Sequence, residues 1–166
     1  MTDSTDPREK LWKLIKDIRF GMLTHRGAEG ELHSHPLTTQ NKELEDEARL
    51  YFFISRQSEI YERVVADANV GLAYANPEDD SYVSLSGLAS IDEDMDKKRE
   101  LFNTLARAWF PGGVDDPDVA LLVVDISHAE YWDMKESQTV QLIKMAKAAL
   151  TGKKPQLKAD HREIAL

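Results

Sequence analysis

Apolar residues first recur at helical spacing, where Leu11, Trp12, Leu14, Ile15 and Ile18 share one face. Asp6, Pro7 and Glu9 ahead of them are start signals: a carboxylate to cap, a ring suited to the first turn, and an acid that reaches back to the cap. From Phe20 the period falls to two. Residues 20–25 predict a strand, 26–30 a glycine-bearing turn, and 31 onward the returning strand of a hairpin. Pro36 interrupts that second strand. Proline has no N–H for a sheet ladder, so the strand must run along an edge or bend there. The backbone around the hydrogen-bonding run Thr38, Thr39, Gln40 and Asn41 is then free to hold something else.

Beyond an acidic turn at 43–48, residues 49–55 (RLYFFIS) are dense in aromatics and isoleucine, as buried strands are. Ser58 predicts the cap of a second helix with Ile60, Tyr61, Val64, Val65 and Ala68 on one face. Strands follow at 70–74 and 82–91, joined by an Asn-Pro-Glu-Asp-Asp turn, with Gly87 as a candidate bulge. A third helix over about 93–109 should turn Met95, Phe102, Leu105, Ala106 and Trp109 inward before Phe110, Pro111, Gly112 and Gly113 stop it. Residues 119–126 and 129–133 read as two more strands, and 137–150 as a last helix ended by Gly152 and Pro155. Six or seven strands joined mostly by short turns, with helices at the interruptions, predict a mainly β, antiparallel barrel with helices packed outside. Residues 1–155 form a single domain in this reading, and 156–166 a flexible tail.

The chain of 166 residues is long enough to bury a core unaided. It has no cysteine, so no disulfide or thiolate chemistry, and it shows neither a secretory leader nor an apolar span; it reads as a cytoplasmic protein. A net charge of −9 repels phosphate backbones and argues against nucleic acid, while a small anion can still bind where several donors converge. His33 and His35 lie two apart on one strand and face the same side, a spacing that serves a metal. The sequence offers no evident third ligand, and no metal is expected. Nucleophile elbow, P-loop and dinucleotide fingerprint are all absent, and no acid–base pair stands out among the acidic turns, so catalytic residues are unknown. What remains are hydroxyls, amides and aromatics. Such groups hold a cofactor that carries the chemistry.

Several short motifs stand in register from residue 8 to 155: RFGMLTHR, GELHSHPLTTQ, LYFFISRQSE, VGLAYANPEDDSYVSLSG, WFPGG with DDPD, ALLVVDISHAEYWD and GKKP. In these the chain resembles the general stress protein 26 branch of the pyridoxamine 5′-phosphate oxidase-like, FMN-binding split barrels. The resemblance implies a six-stranded antiparallel Greek-key split barrel with flanking helices, forming a homodimer that binds FMN, or FAD, at the subunit interface. It places His35, Pro36, Leu37, Thr38, Thr39 and Gln40 beside the isoalloxazine, Phe53, Ile54, Ser55 and Ser58 near the ribityl phosphate, Trp132 near the ring from the second protomer, and Trp109 and Phe110 at the border of the groove. Two positions depart from the family pattern, which has arginine at His35 and lysine at Ile60, both cations for the phosphate; Arg56 and Arg63 are the nearby replacements. The resemblance therefore implies a flavin-binding stress-associated protein, with an FMN-dependent oxidoreductase as its catalytic form. The alternative is a non-catalytic barrel that has lost its flavin. A true pyridoxamine 5′-phosphate oxidase ranks below both, because the Arg and His pair that follows the tryptophan in such enzymes is replaced by DMKESQTV after Trp132.

Overall fold

The computed structural model describes residues 6–134, 138–157 and 159–166. Helix α1 (Pro7–Ile18) begins as its sequence dictates: Asp6 accepts from the Arg8 N–H, and Leu11, Leu14 and Ile15 are buried. Strands β1 (Phe20–Arg26) and β2 (Leu32–Thr38) form the expected hairpin, followed by β3 (Arg49–Ser55). Helix α2 (Glu59–Ala66) is capped by Ser58, whose hydroxyl accepts from the Tyr61 N–H. Then come β4 (Asn69–Asn76), β5 (Ser81–Asp92), α3 (Met95–Leu101), α4 (Thr104–Trp109), β6 (Val119–Met134), α5 (Gln138–Thr151) and β7 (Ala159–Ala165). All strand pairs are antiparallel, in the order β2-β1-β4-β5-β6-β3, with β7 on the far half of β6. The edge strands β2 and β3 form no ladder with each other. They meet at Gln40, whose N–H donates to the Tyr51 carbonyl at 2.9 Å. Six of the seven strands thus form a split barrel with helices outside, and β7 extends the sheet on β6.

Burial explains why the strands read as they do. On β4 and β5 inward and outward residues alternate, because only one face meets the core. On β3 and the first half of β6 both faces are covered. Leu50, Phe52, Ile54, Leu122 and Val124 point into the barrel, while Tyr51, Phe53, Leu121 and Val123 meet Leu101 and Ala106 from α3 and α4. Continuous apolar runs are the signature of such strands.

Four readings of the sequence change. The single helix over 93–109 is two, because Phe102 adopts extended backbone and Asn103 starts afresh, its side chain accepting from the Ala106 N–H. As a result Met95, Leu105 and Trp109 face outward instead of inward. The two strands at 119–126 and 129–133 are one 16-residue strand, β6, which carries a bulge at Ser127, the residue skipped where the register shifts between Ser86 and Gly87 of β5. The tail is not left loose: Ala159–Ala165 pairs with the second half of β6, the half that β3 does not reach, and its Ile164 packs against the core. The predicted start of the last helix, Ser137, lies outside the described residues.

Candidate functional site

Along the free edge of β2, the split between β2 and β3 opens into a cavity of about 320 Å³. Its walls come from Pro36, Leu37, Thr38 and Gln40 on one side and Phe53, Ile54 and Ser55 on the other; Phe20 and Ile60 complete one end, and Ala106, Trp109 and Phe110 the mouth. Trp109 is 81% exposed and Phe20 63%, so aromatic surface stands uncovered around the opening. The volume lies at the lower end of ligand pockets, and the lining is mainly apolar with a few polar groups, the usual composition of a small-molecule site.

The segment behind the cavity is held from below. Thr39 is buried; its N–H donates to the Arg19 carbonyl at 3.0 Å, and its hydroxyl meets the Tyr74 hydroxyl at 2.6 Å. Burial pushes the Tyr74 phenol well above its usual range, so it remains a neutral partner. Gln40 is oriented at both ends of its side chain, accepting from Asn103 Nδ2 at 3.0 Å and donating to the Thr38 carbonyl at 3.3 Å. Thr39→Val should leave the Tyr74 hydroxyl without its partner and cost about 1–3 kcal/mol, seen as a lower denaturation midpoint.

Toward α2 the character changes. The Ser55 hydroxyl donates to Asp118 at 2.8 Å and accepts from the Gln57 N–H; that of Ser58 donates to the Ser55 carbonyl at 2.6 Å while capping the helix. Arg56 grips Glu93 through two contacts of 3.2 and 3.0 Å, and Arg63 donates to the Arg26 carbonyl. Neither arginine lines the cavity. His35 faces away from it, its Nε2 lying 2.9 Å from His25 Nε2 and 3.7 Å from Glu59. Burial, and then the neighbouring His25, hold the His35 imidazole below its usual range, and the hydrogen bond from His33 holds the Glu59 carboxyl low.

Of the thirteen residues singled out from sequence, nine line one cavity: Pro36, Leu37, Thr38, Gln40, Phe53, Ile54, Ser55, Trp109 and Phe110. Thr39 supports it from behind and Ser58 builds the helix start beside it. Trp132 stands apart on β6, stacked on His161 of β7 with centroids 5.0 Å apart and planes 7° from parallel. Phe20 and Ala106 were missed. Phe20 sits directly across from Thr38 in the hairpin register, so the register, once fixed, would have found it. Among the described residues no helix is long and apolar enough to cross a membrane.

A family model described as pyridoxamine 5′-phosphate oxidase like matches residues 6–156. The chain belongs to this family. Among solved structures similar to it is a general stress protein 26 from Jannaschia sp. CCS1, 25% identical over the whole of both chains with a TM-score of 0.73. Another, the general stress FMN/FAD binding protein of Xanthomonas citri, is 32% identical, with a TM-score of 0.66 and coverage of 78% of this chain and 90% of that one. A curated relative, protein bli-3 of Neurospora crassa, is 27% identical over 112 residues, which is 63% of this chain and 54% of that protein; the match thus spans about half the relative's length. Within the pyridoxamine 5′-phosphate oxidase-like family the chain falls with the general stress protein 26 branch, as its motifs implied.

Proposed function

We propose that this chain is a flavin-binding protein, with FMN as the preferred form, that holds the isoalloxazine in the cavity between β2 and β3 as part of a cytoplasmic homodimer. The observation that carries the reading is the cavity itself. A flavin ring needs apolar packing on its faces and amides at its rim; Leu37, Phe53 and Ile54 offer the first and the fixed side chain of Gln40 the second. The dimer is supported by the uncovered aromatic surface at the mouth, where Phe20 and Trp109 stand in solvent beside Leu105. In that dimer Trp132 of one protomer reaches the groove of the other, its orientation fixed by the stacked His161. A bound flavin supplies hydride or electron transfer. The chain's own residues position the ring, exclude water from one face through Phe53 and Ile54, and orient the Gln40 amide. The substrate class that fits is a nicotinamide donor with a second acceptor.

A second reading, a barrel without flavin, is favoured by one observation. Among the described residues the phosphate end has no dedicated cation: Arg56 and Arg63 are engaged elsewhere, and the carboxylates of Glu59 and Asp118 stand close by. The first-turn N–H groups of α2 and the helix dipole are the remaining anion-binding elements there. Titrating FMN and FAD separately into dialysed protein and following flavin fluorescence decides between the readings. Saturable quenching by FMN, tighter than by FAD, supports the first; unquenched fluorescence with both supports the second. Bleaching of the bound flavin by NAD(P)H then identifies a reductase.

A further inference from the structure

We propose that His25, His35 and Glu59 form a binding site for a divalent transition-metal ion of the zinc type, separate from the flavin cavity. His25 is on β1, His35 on β2, and Glu59 opens α2; one ligand atom from each lies within 4.8 Å of the others. The two Nε2 atoms face each other at 2.9 Å, and the Glu59 carboxylate is 3.7 Å from His35 Nε2. Two imidazoles on one tetrahedral zinc sit about 3.3 Å apart, given metal–nitrogen bonds of about 2.0–2.1 Å. Seating the ion would open the two imidazoles by a few tenths of an ångström and draw the Glu59 carboxylate inward.

The arrangement is poorly explained as packing alone. His25 is 1% exposed, and its Nε2 is aimed at a second imidazole nitrogen, while its Nδ1 has no hydrogen-bond partner among the described residues. The rings of His25 and His35 are within 9° of parallel. His33 acts as a positioning residue: its Nδ1 lies 2.6 Å from Glu59 Oε1 and fixes the carboxylate, as outer partners of metal ligands do. Two nitrogens and one carboxylate oxygen suit a borderline ion such as zinc; calcium and magnesium prefer all-oxygen sets. Three protein ligands leave a position open for water or an anion. The sequence hid this site because the missing ligands are far apart along the chain, His25 across the hairpin turn and Glu59 beyond β3. His35 and Glu59 immediately precede Pro36 and Ile60 of the cavity, so a bound dication would add positive charge beside it.

The test uses the full chain, stripped of metal and flavin, titrated with Zn²⁺ by calorimetry and with Co²⁺ by ligand-field absorption. One ion per chain is expected, with affinity falling at least about 100-fold in both His35→Ala and Glu59→Gln, since each removes a direct ligand. His33→Asn should keep the Co²⁺ spectrum and weaken binding by about 10-fold, the signature of a lost outer partner. His128→Ala, at a surface His–Glu pair, should bind as the parent does. Circular dichroism of each variant verifies that it is folded, and because the buried His25 is left in place the test does not depend on a core substitution. The absence of saturable Zn²⁺ binding by the parent, or affinity within about 3-fold of the parent in either His35→Ala or Glu59→Gln, would overturn the proposal.

Discussion

Replacing Thr38 with tryptophan is expected to abolish flavin binding while leaving the barrel folded. Thr38 ends β2 opposite Phe20, is only half-buried, and lines the cavity. Its known hydrogen bond uses the backbone carbonyl, which accepts from Gln40, so the side chain can change without breaking it. An indole at this position occupies much of a 320 Å³ space that the isoalloxazine needs. Affinity for FMN should drop by about 100-fold or more, equivalent to roughly 2.7 kcal/mol. The melting temperature should move by only a few degrees, because a partly exposed position outside the core carries about 0.5 kcal/mol. Fluorescence titration and a thermal melt on the same preparation give both numbers. Undiminished FMN binding would place the ring elsewhere.

Gly87→Ala is expected to produce the largest loss of stability. Opposite the β6 bulge, Gly87 lies so close to that strand that an added methyl would sit 2.2 Å from the Asp125 carbonyl oxygen and 3.0 Å from its carbon. Backbone atoms in a paired strand cannot step aside as a side chain would, so the ladder must open. A cost of about 3 kcal/mol, the upper range for overpacking, corresponds to a fall of roughly 6–12 °C in the melting temperature. Gly71→Ala is the control: its nearest new contact, the Leu85 carbonyl, would be at an ordinary 3.7 Å, and the change should be close to neutral. Equal melting temperatures for the two variants would contradict the role given to the bulge.

The strands were legible because hydrophobic period reports burial directly: two for β4 and β5, unbroken for β3 and β6. Pro36 marked β2 as an edge strand, and the cavity opens along that edge, since a residue without an N–H cannot serve ladders on both sides. The break between α3 and α4 was not legible. Phe102 and Leu105 keep helical spacing across it, and the Asn103 cap declares itself only once the chain has turned. Strand β7 was hidden for a different reason. ADHREIA has few apolar residues because most of its side chains face solvent, and its place is set by ladder bonds to the half of β6 that β3 leaves unpaired. The departures at His35 and Ile60 were visible as missing cations, yet their meaning depended on neighbours. His35 is turned toward His25 and Glu59, and Ile60 is buried in the cavity wall.

In the proposed function two copies of this barrel together enclose a flavin. Sedimentation equilibrium of the 18.9 kDa chain with FMN, monitored at the visible flavin band, tests it in a single measurement. Flavin absorbance distributed with a species of twice the chain mass is the result expected. Flavin that stays free, or that sediments with a single chain, would contradict it.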